Sequence, residues 1–289
     1  MSRLRRLRAE FTAERRSFLR RRTAVFFTFL FPLLIVLIFG VLVRTQGGGE
    51  GLFARDPAYY VPGYLAVVVL FTPLSRVGST VARHRDGARF EKLATTPIRR
   101  WEWLLAHATV NAVVIGLAAL LLLVLTLLLT GATVTVSPTL ALVAPLVVLA
   151  TVLFCGVGAV IGRVADSQDG VIAASNALAL PLLFLSETFV SPDLLPAWFR
   201  PLVALSPLTY FARGVRALTA GAPAPDVALV NLGVLTGVAV VALVAGALAV
   251  PRTEWLPSGE GRPAAVPGAV PPPAPGRAWP DRSSPTAAP

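Results

Sequence analysis

Apolar and polar positions divide this chain into long apolar runs joined by short charged connections. Six runs approach or exceed the ~20 residues that a helix needs to cross ~30 Å of hydrocarbon. They are Thr23 to Val43, Tyr59 to Ala82, Leu104 to Thr130, Thr139 to Gly162, Val171 to Phe189, and Val227 to Val250. The pattern predicts an all-α membrane protein with six transmembrane helices, forming a domain over residues 23–250. Ahead of the first run lies MSRLRRLRAEFTAERRSFLRRR. In it Leu4, Leu7, Phe11 and Phe18 share one narrow stripe at helical spacing, and nine arginines are spread through the segment. Residues 1–22 read as an amphipathic interfacial helix, with its phenylalanines in the acyl boundary and its guanidiniums near lipid phosphates. The competing reading is a basic retention signal that only sets topology.

The connection before the last run is apolar but interrupted by Pro196, Pro201 and Pro207, each of which removes a backbone donor and breaks helix geometry. Leu194 to Phe211 is short for a span and carries Arg200. It reads as a broken re-entrant or interfacial segment, tolerable where protein covers the backbone. A seventh span there would put the C-terminus on the other side. Residues 251–289 are proline-rich and poor in large apolar side chains, so they predict a disordered tail. Small residues recur four apart at Ala112/Gly116, Gly158/Gly162, Gly233/Gly237 and Ala242/Gly246, a spacing that lets helix backbones approach closely.

Composition agrees with a membrane protein. Hydrophobic residues make up 55% of the 289 and charged ones only 14%, against about a quarter in soluble domains. A net charge of +11 would suggest nucleic acid in a soluble chain; here topology accounts for it, and no nucleic-acid partner is expected. Apart from Arg76 inside a run, twenty Lys/Arg fall on one side of the alternating connections and five on the other. The positive-inside rule then places both termini, and the segment Arg83 to Trp103, in the cytoplasm of a multi-pass cell-membrane protein. The first run is too long for a signal h-region and should remain in the membrane. Cys155 is alone, and His84 and His107 are isolated, so neither a disulfide framework nor a metal site is expected.

Catalytic patterns are missing. The sequence has no GxxxxGK[ST], HExxH, CxxC or GxSxG, and it predicts no catalytic residue and no bound cofactor in this chain. Asp166 and Asp169, beside Arg163, read as a solvated turn with a helix N-cap. Arg76 is the costliest residue in the predicted hydrocarbon, by a few kcal/mol on insertion scales (~2.5–3.5). It lines a pathway, pairs with an acid, or snorkels. Glu187 is expected at an exposed interface, with a gating role as the alternative. Asn176 is expected to bond across helices, and His107 to sit at the interface.

Two stretches carry a family resemblance. The first is ARHRDGARFEKLATTPIRRWEWLLAH, with Arg85, Gly87, Glu91, Leu93, Thr96 and Pro97 at the pattern positions. The second is NALALPLLFLSETFVSPDLLPAWFRPLVALSPLTYFARGVRA, with Asn176, Pro181, Ser186, Phe189, Pro192, Leu195, Pro196, Pro207, Leu208, Thr209, Tyr210 and Arg216. Together they resemble type-2 ABC transporter (ABC-2) permease subunits of the daunorubicin-resistance and polysaccharide or lipo-oligosaccharide export kind. The similarity covers about residues 1 to 250. Glu187 departs from it, standing where the family commonly has Gly.

The resemblance implies a permease that pairs as a homodimer, or as a heterodimer with a second permease. It also implies two separate ATPase subunits that carry the ATP-Mg and push on short cytoplasmic coupling helices. On that footing Asp86 would cap a short helix. Phe90, Leu93 and Ala94 would present an apolar face to a partner groove, and Arg85, Arg89 and Lys92 a basic one. The expected ATPase-coupling residues are Arg85, Gly87, Arg89, Phe90, Glu91, Leu93, Thr96 and Pro97. The pathway or gate candidates are Arg76, Asn176, Ser186, Glu187, Pro192, Pro207 and Tyr210. The expected function is export of an amphipathic or lipid-linked substrate across the cytoplasmic membrane. The alternative is a non-transporting membrane scaffold or immunity protein, which the absence of an ATPase encoded next door would favour.

Overall fold

The computed structural model describes residues 3–20, 22–38, 56–96, 98–132, 134–135, 137–189 and 196–251, within the compact unit Met1–Glu254. Pro97, Pro192 and the proline-rich tail beyond residue 251 lie outside the described residues. Among the described residues the regular structure is entirely helical. The helices are α1 (Arg3–Arg20), α2 (Arg22–Ile35), α3 (Val61–Asp86), α4 (Arg89–Ala94), α5 (Arg100–Thr130), α6 (Val143–Val164), α7 (Gln168–Phe184), α8 (Arg200–Leu205), α9 (Pro207–Thr219) and α10 (Pro225–Ala249).

Four segments are long and apolar enough to cross a membrane: Pro57–Asp86, Arg100–Thr130, Pro138–Val164 and Pro225–Ala249. The helices within them begin and end at local signals. A 3₁₀ turn, Pro57–Tyr60, leads into α3, and the Asp56 carboxylate accepts the Ala58 N–H at 2.8 Å. Glu102 accepts the Arg99 N–H at 2.8 Å at the start of α5, satisfying a donor the helix cannot. Gly131 at φ 64° ends that helix in the left-handed conformation that glycine adopts without a Cβ clash. Ser167, not Asp166 or Asp169, caps α7: its hydroxyl accepts the Gly170 N–H at 3.0 Å.

The remaining two predicted spans are shorter here. The described part of the first is α2, and residues 39–55 lie outside the description. The fifth run was expected to continue to Phe189, but α7 stops at Phe184. The Ser186 and Thr188 hydroxyls both donate to the Leu183 carbonyl, at 3.0 and 2.5 Å, giving the chain a polar alternative to another helical turn. The proline-broken connection forms α8 and α9, divided at Ser206–Pro207. Leu208, Phe211, Ala212, Val215 and Leu218 of α9 are buried in the bundle.

α3 is the central helix, packing on α6 most extensively and also on α7, α5 and α9. Small residues make that closeness possible. A Cβ on Gly158 would lie 2.5 Å from the Leu74 carbonyl oxygen, and one on Gly162 would overlap the carbonyl of Gly78. On the other side of α6, Gly246 of α10 meets Gly156 just as tightly. In lipid such contacts gain dispersion energy rather than hydrophobic transfer energy. Gly116, Gly233 and Gly237 have no atom within 4 Å of an added Cβ, so those two expected pairs make no helix seam among the described residues.

Candidate functional site

Charged side chains gather at both ends of α3. At its C-terminal end, Gly87 and Ala88 reverse the chain into α4, with Ala88 in the left-handed region at φ 50°. That conformation is uncommon for a residue with a Cβ and costs ~1–2 kcal/mol. Asp86 does not cap α4, as the sequence had suggested. It is still the last residue of α3, and its carboxylate accepts from Arg85 at 3.1 Å. Arg85 likewise leaves the expected outward basic face. Its guanidinium donates to the carbonyls of Ala165 at 2.7 Å and Asp166 at 3.0 Å, fastening the end of α3 to the α6–α7 connection.

α4 also differs from a free apolar knob. Phe90 is 4% exposed, and its ring packs edge-on against His84 and Trp103 at centroid distances of 5.4 and 5.5 Å. Leu93 and Glu91 are half-buried, whereas Gly87, Arg89, Lys92, Thr95 and Thr96 are exposed. Thr95 and Thr96 close the helix by donating to the Lys92 and Leu93 carbonyls at 2.8 and 2.7 Å. The result is a basic outer surface on an internally anchored helix.

Next to α4 is a partly buried ionic cluster that sequence reasoning missed. Glu14 of α1 accepts from Arg76 Nη2 at 3.0 Å, and its other oxygen lies 3.3 Å from His107 Nε2. The His107 ring stacks on Trp103 at 4.0 Å, with its Nδ1 3.0 Å from the Trp103 carbonyl. Burial alone would raise the Glu14 carboxyl, but the hydrogen bonds and charges of His107 and Arg76 outweigh it and hold the group down at about 2. Glu10, one turn earlier, is pushed up by burial. Arg76 therefore pairs with an acid, and its guanidinium also lies 4.0 Å over the Phe18 ring. Two expectations change: His107 is buried at 2% exposure, and Phe18, at 5%, packs on protein. The available signal was Glu10 and Glu14, two acids one turn apart in an arginine-rich helix.

At the other end of α3, the turn after α7 folds Glu187 inward to 5% exposure, so it is not an exposed interface residue. Arg213 of α9 engages both its oxygens, with Nε donating to Oε2 at 2.9 Å and Nη2 to Oε1, a bidentate fork. Arg216 donates to the Glu187 and Thr188 carbonyls, and its guanidinium lies 4.1 Å over the Tyr59 ring. Ser186 is buried within the same turn. Pro207 opens α9, and Tyr210 is half-buried on it. Asn176 stands apart: it is exposed on α7, without the expected cross-helix hydrogen bond among the described residues.

A family model described as ABC-2 type transporter matches residues 5–219, which include both charged ends. A daunorubicin resistance ABC transporter permease protein, DrrB1, from Streptomyces coeruleorubidus is 35% identical over 63 residues. That match spans 22% of this chain and 22% of that relative's length. With most of the sequence matched and four apolar helices long enough to cross a membrane, this protein belongs to the ABC-2 type transporter family, as a membrane component of an ABC transporter.

Proposed function

We propose that this chain is the permease subunit of an ATP-driven exporter and that residues 83–98 receive the push of a separate ATPase. The carrying observation is α4 itself. Its Phe90 is locked onto Trp103 of α5, while Arg89 and Lys92 face outward. A helix gripped from inside and basic outside can pass on a rigid-body displacement, and it suits an acidic groove. Leu93, half-buried beside them, supplies the apolar part of that contact. Hydrolysis belongs to the partner, two copies of which carry the ATP-Mg. In this reading the permease forms a homodimer, or a heterodimer with a second permease.

The four long helices together with α2 and α7 make six spans, with both termini and α4 on the cytoplasmic face of the cell membrane. α1 then lies at that interface, and α8–α9 form the re-entrant segment on the opposite side. The cluster of Ser186, Glu187, Arg213 and Arg216 is the outer gate. The cargo is amphipathic or lipid-linked, a reading supported by the apolar cleft of about 350 Å3 between α5 and α6, lined by Gly116, Leu120, Leu140 and Val148. The resistance named in the DrrB1 relative points the same way.

Capture of the ATPase by Arg89→Glu/Lys92→Glu tests the docking surface. The expected result is loss of ATPase from the pull-down with normal membrane levels and an unchanged unfolding temperature. Wild-type capture by this double variant and by Leu93→Asp would sink the coupling role.

A further inference from the structure

A small cleft opens where α1 crosses the C-terminal half of α3 and the start of α4, enclosing about 90 Å3. Arg76 and Arg83 of α3 and Arg89 of α4 line it, with Ser17 of α1 at its edge. Arg83 donates to Thr80 Oγ1 at 3.0 Å, and that hydroxyl in turn donates to the Arg76 carbonyl at 2.9 Å, which holds the Arg83 guanidinium on one wall. Glu14 of α1 is the one carboxylate among the lining residues, set against three arginines, and it pairs with Arg76 at 3.0 Å. The cleft is therefore net cationic. That space has room for a phosphate-sized group.

We propose that this cleft binds the phosphate of an anionic phospholipid headgroup, lodged between α1 and α4. Basic pockets between helices at a membrane face recognise such headgroups, and the surrounding negative surface potential reinforces them. The exposed Arg8, Arg15, Arg16 and Arg20 along α1 extend the positive field around the opening. Phe18, packed on Arg76, gives the cleft an apolar floor next to its charges. A bound headgroup would bridge α1 to α4 and so stiffen the base on which α4 stands. The inference rests on the membrane placement proposed above; because Arg89 also belongs to the docking face, lipid binding is read with the ATPase left out.

The test uses the full chain in phosphatidylcholine vesicles that carry a minor fraction of spin-labelled phosphatidylglycerol, with spin-labelled phosphatidylcholine as the reference. Wild type should retain the anionic lipid selectively. Arg83→Gln/Arg89→Gln should lower that selectivity at least about fivefold, the scale expected for two basic contacts near an anionic headgroup. Arg8→Gln/Arg15→Gln, which removes equal charge outside the cleft, should change it by less than about twofold, as expected for exposed and screened charges. Ser17→Glu provides a second variant that keeps every arginine, and it should also lose selectivity. Equal loss in both double variants, or undiminished selectivity in Ser17→Glu, overturns the site. Displacement of the lipid by inorganic phosphate at constant ionic strength overturns the headgroup in favour of free phosphate. Because no ATPase is present, failure here leaves the exporter reading standing.

Discussion

At the α4 end of α3, ionic contacts tie together segments far apart in the chain: Glu14 and Arg76 are 62 residues apart, and Arg85 reaches carbonyls about 80 residues away. The Tyr59 end reaches even farther along the chain: Arg216 donates to the Tyr59 carbonyl 157 residues away at 3.4 Å, beside the Glu187–Arg213 pair separated by 26. What differs is the orientation of the cations. Arg213 and Arg216 turn onto the Glu187–Phe189 turn and Tyr59, whereas Arg89 and Lys92 remain exposed beside a partly buried cluster. One end closes on itself; the other keeps charge available at its surface. Exposed pairs are worth ~0–1 kcal/mol, while stripping one partner from a buried pair costs ~3–5 kcal/mol. Both ends therefore owe their rigidity to their buried members, and only the α4 end holds basic charge in reserve.

The sharpest way to break this contrast is at Phe90. If α4 is anchored from inside, Phe90→Asp should lose about 3–5 kcal/mol from the missing aromatic packing alone, and more from the unpaired carboxylate. Thermal unfolding in detergent and membrane abundance should both fall, whereas Leu93→Asp should leave both near wild type. Equal stability of the two variants would remove the anchor. At the Tyr59 end, Arg213→Ala should cost ~3 kcal/mol by leaving Glu187 buried without its fork. Glu187→Gln/Arg213→Gln should unfold at a higher temperature than Arg213→Ala, since no lone charge is left behind. Glu187→Gly, for all its likeness to the family pattern, should also be destabilised in this chain.

The smallest effect is the dependence on acid. Glu14 is lowered from 4.5 to about 2, so its contribution is complete above pH 4.5 and disappears as the pH falls from there through about 2. Unfolding temperatures measured across that window should decline for wild type, and Glu14→Gln should lack that part of the slope. Matching slopes would mean that the carboxylate does not hold α1 to α3 and α5.

The long helices were legible because hydropathy over a whole span outweighs local detail. α3, α5, α6 and α10 fall on the predicted runs within a few residues. The end of α7 was not legible, because two hydroxyls returning to one carbonyl decide it, and an apolar run carries no sign of that choice. Glu14 was hidden for another reason: its partners lie on α3 and α5, and only the packing of α1 brings them within reach. Phe90 sat on the correct face of a helix, but spacing alone could not say whether that face met a partner or Trp103 of the same chain. Glu187 stood out as a departure from the family pattern, and Arg213 explains how this chain accommodates it.

Gly158 and Gly162 seat on the backbone of α3 at Leu74 and Gly78, with the branch point of Val81 beside Gly162, so the contact has little side-chain freedom with which to absorb a displacement. Sliding α3 along its axis must carry α6 with it, and the seam between Gly156 and Gly246 recruits α10 to the same movement. A thrust entering through α4 would thus arrive as the translation of a three-helix block, with the slack left to the more loosely joined helices around it.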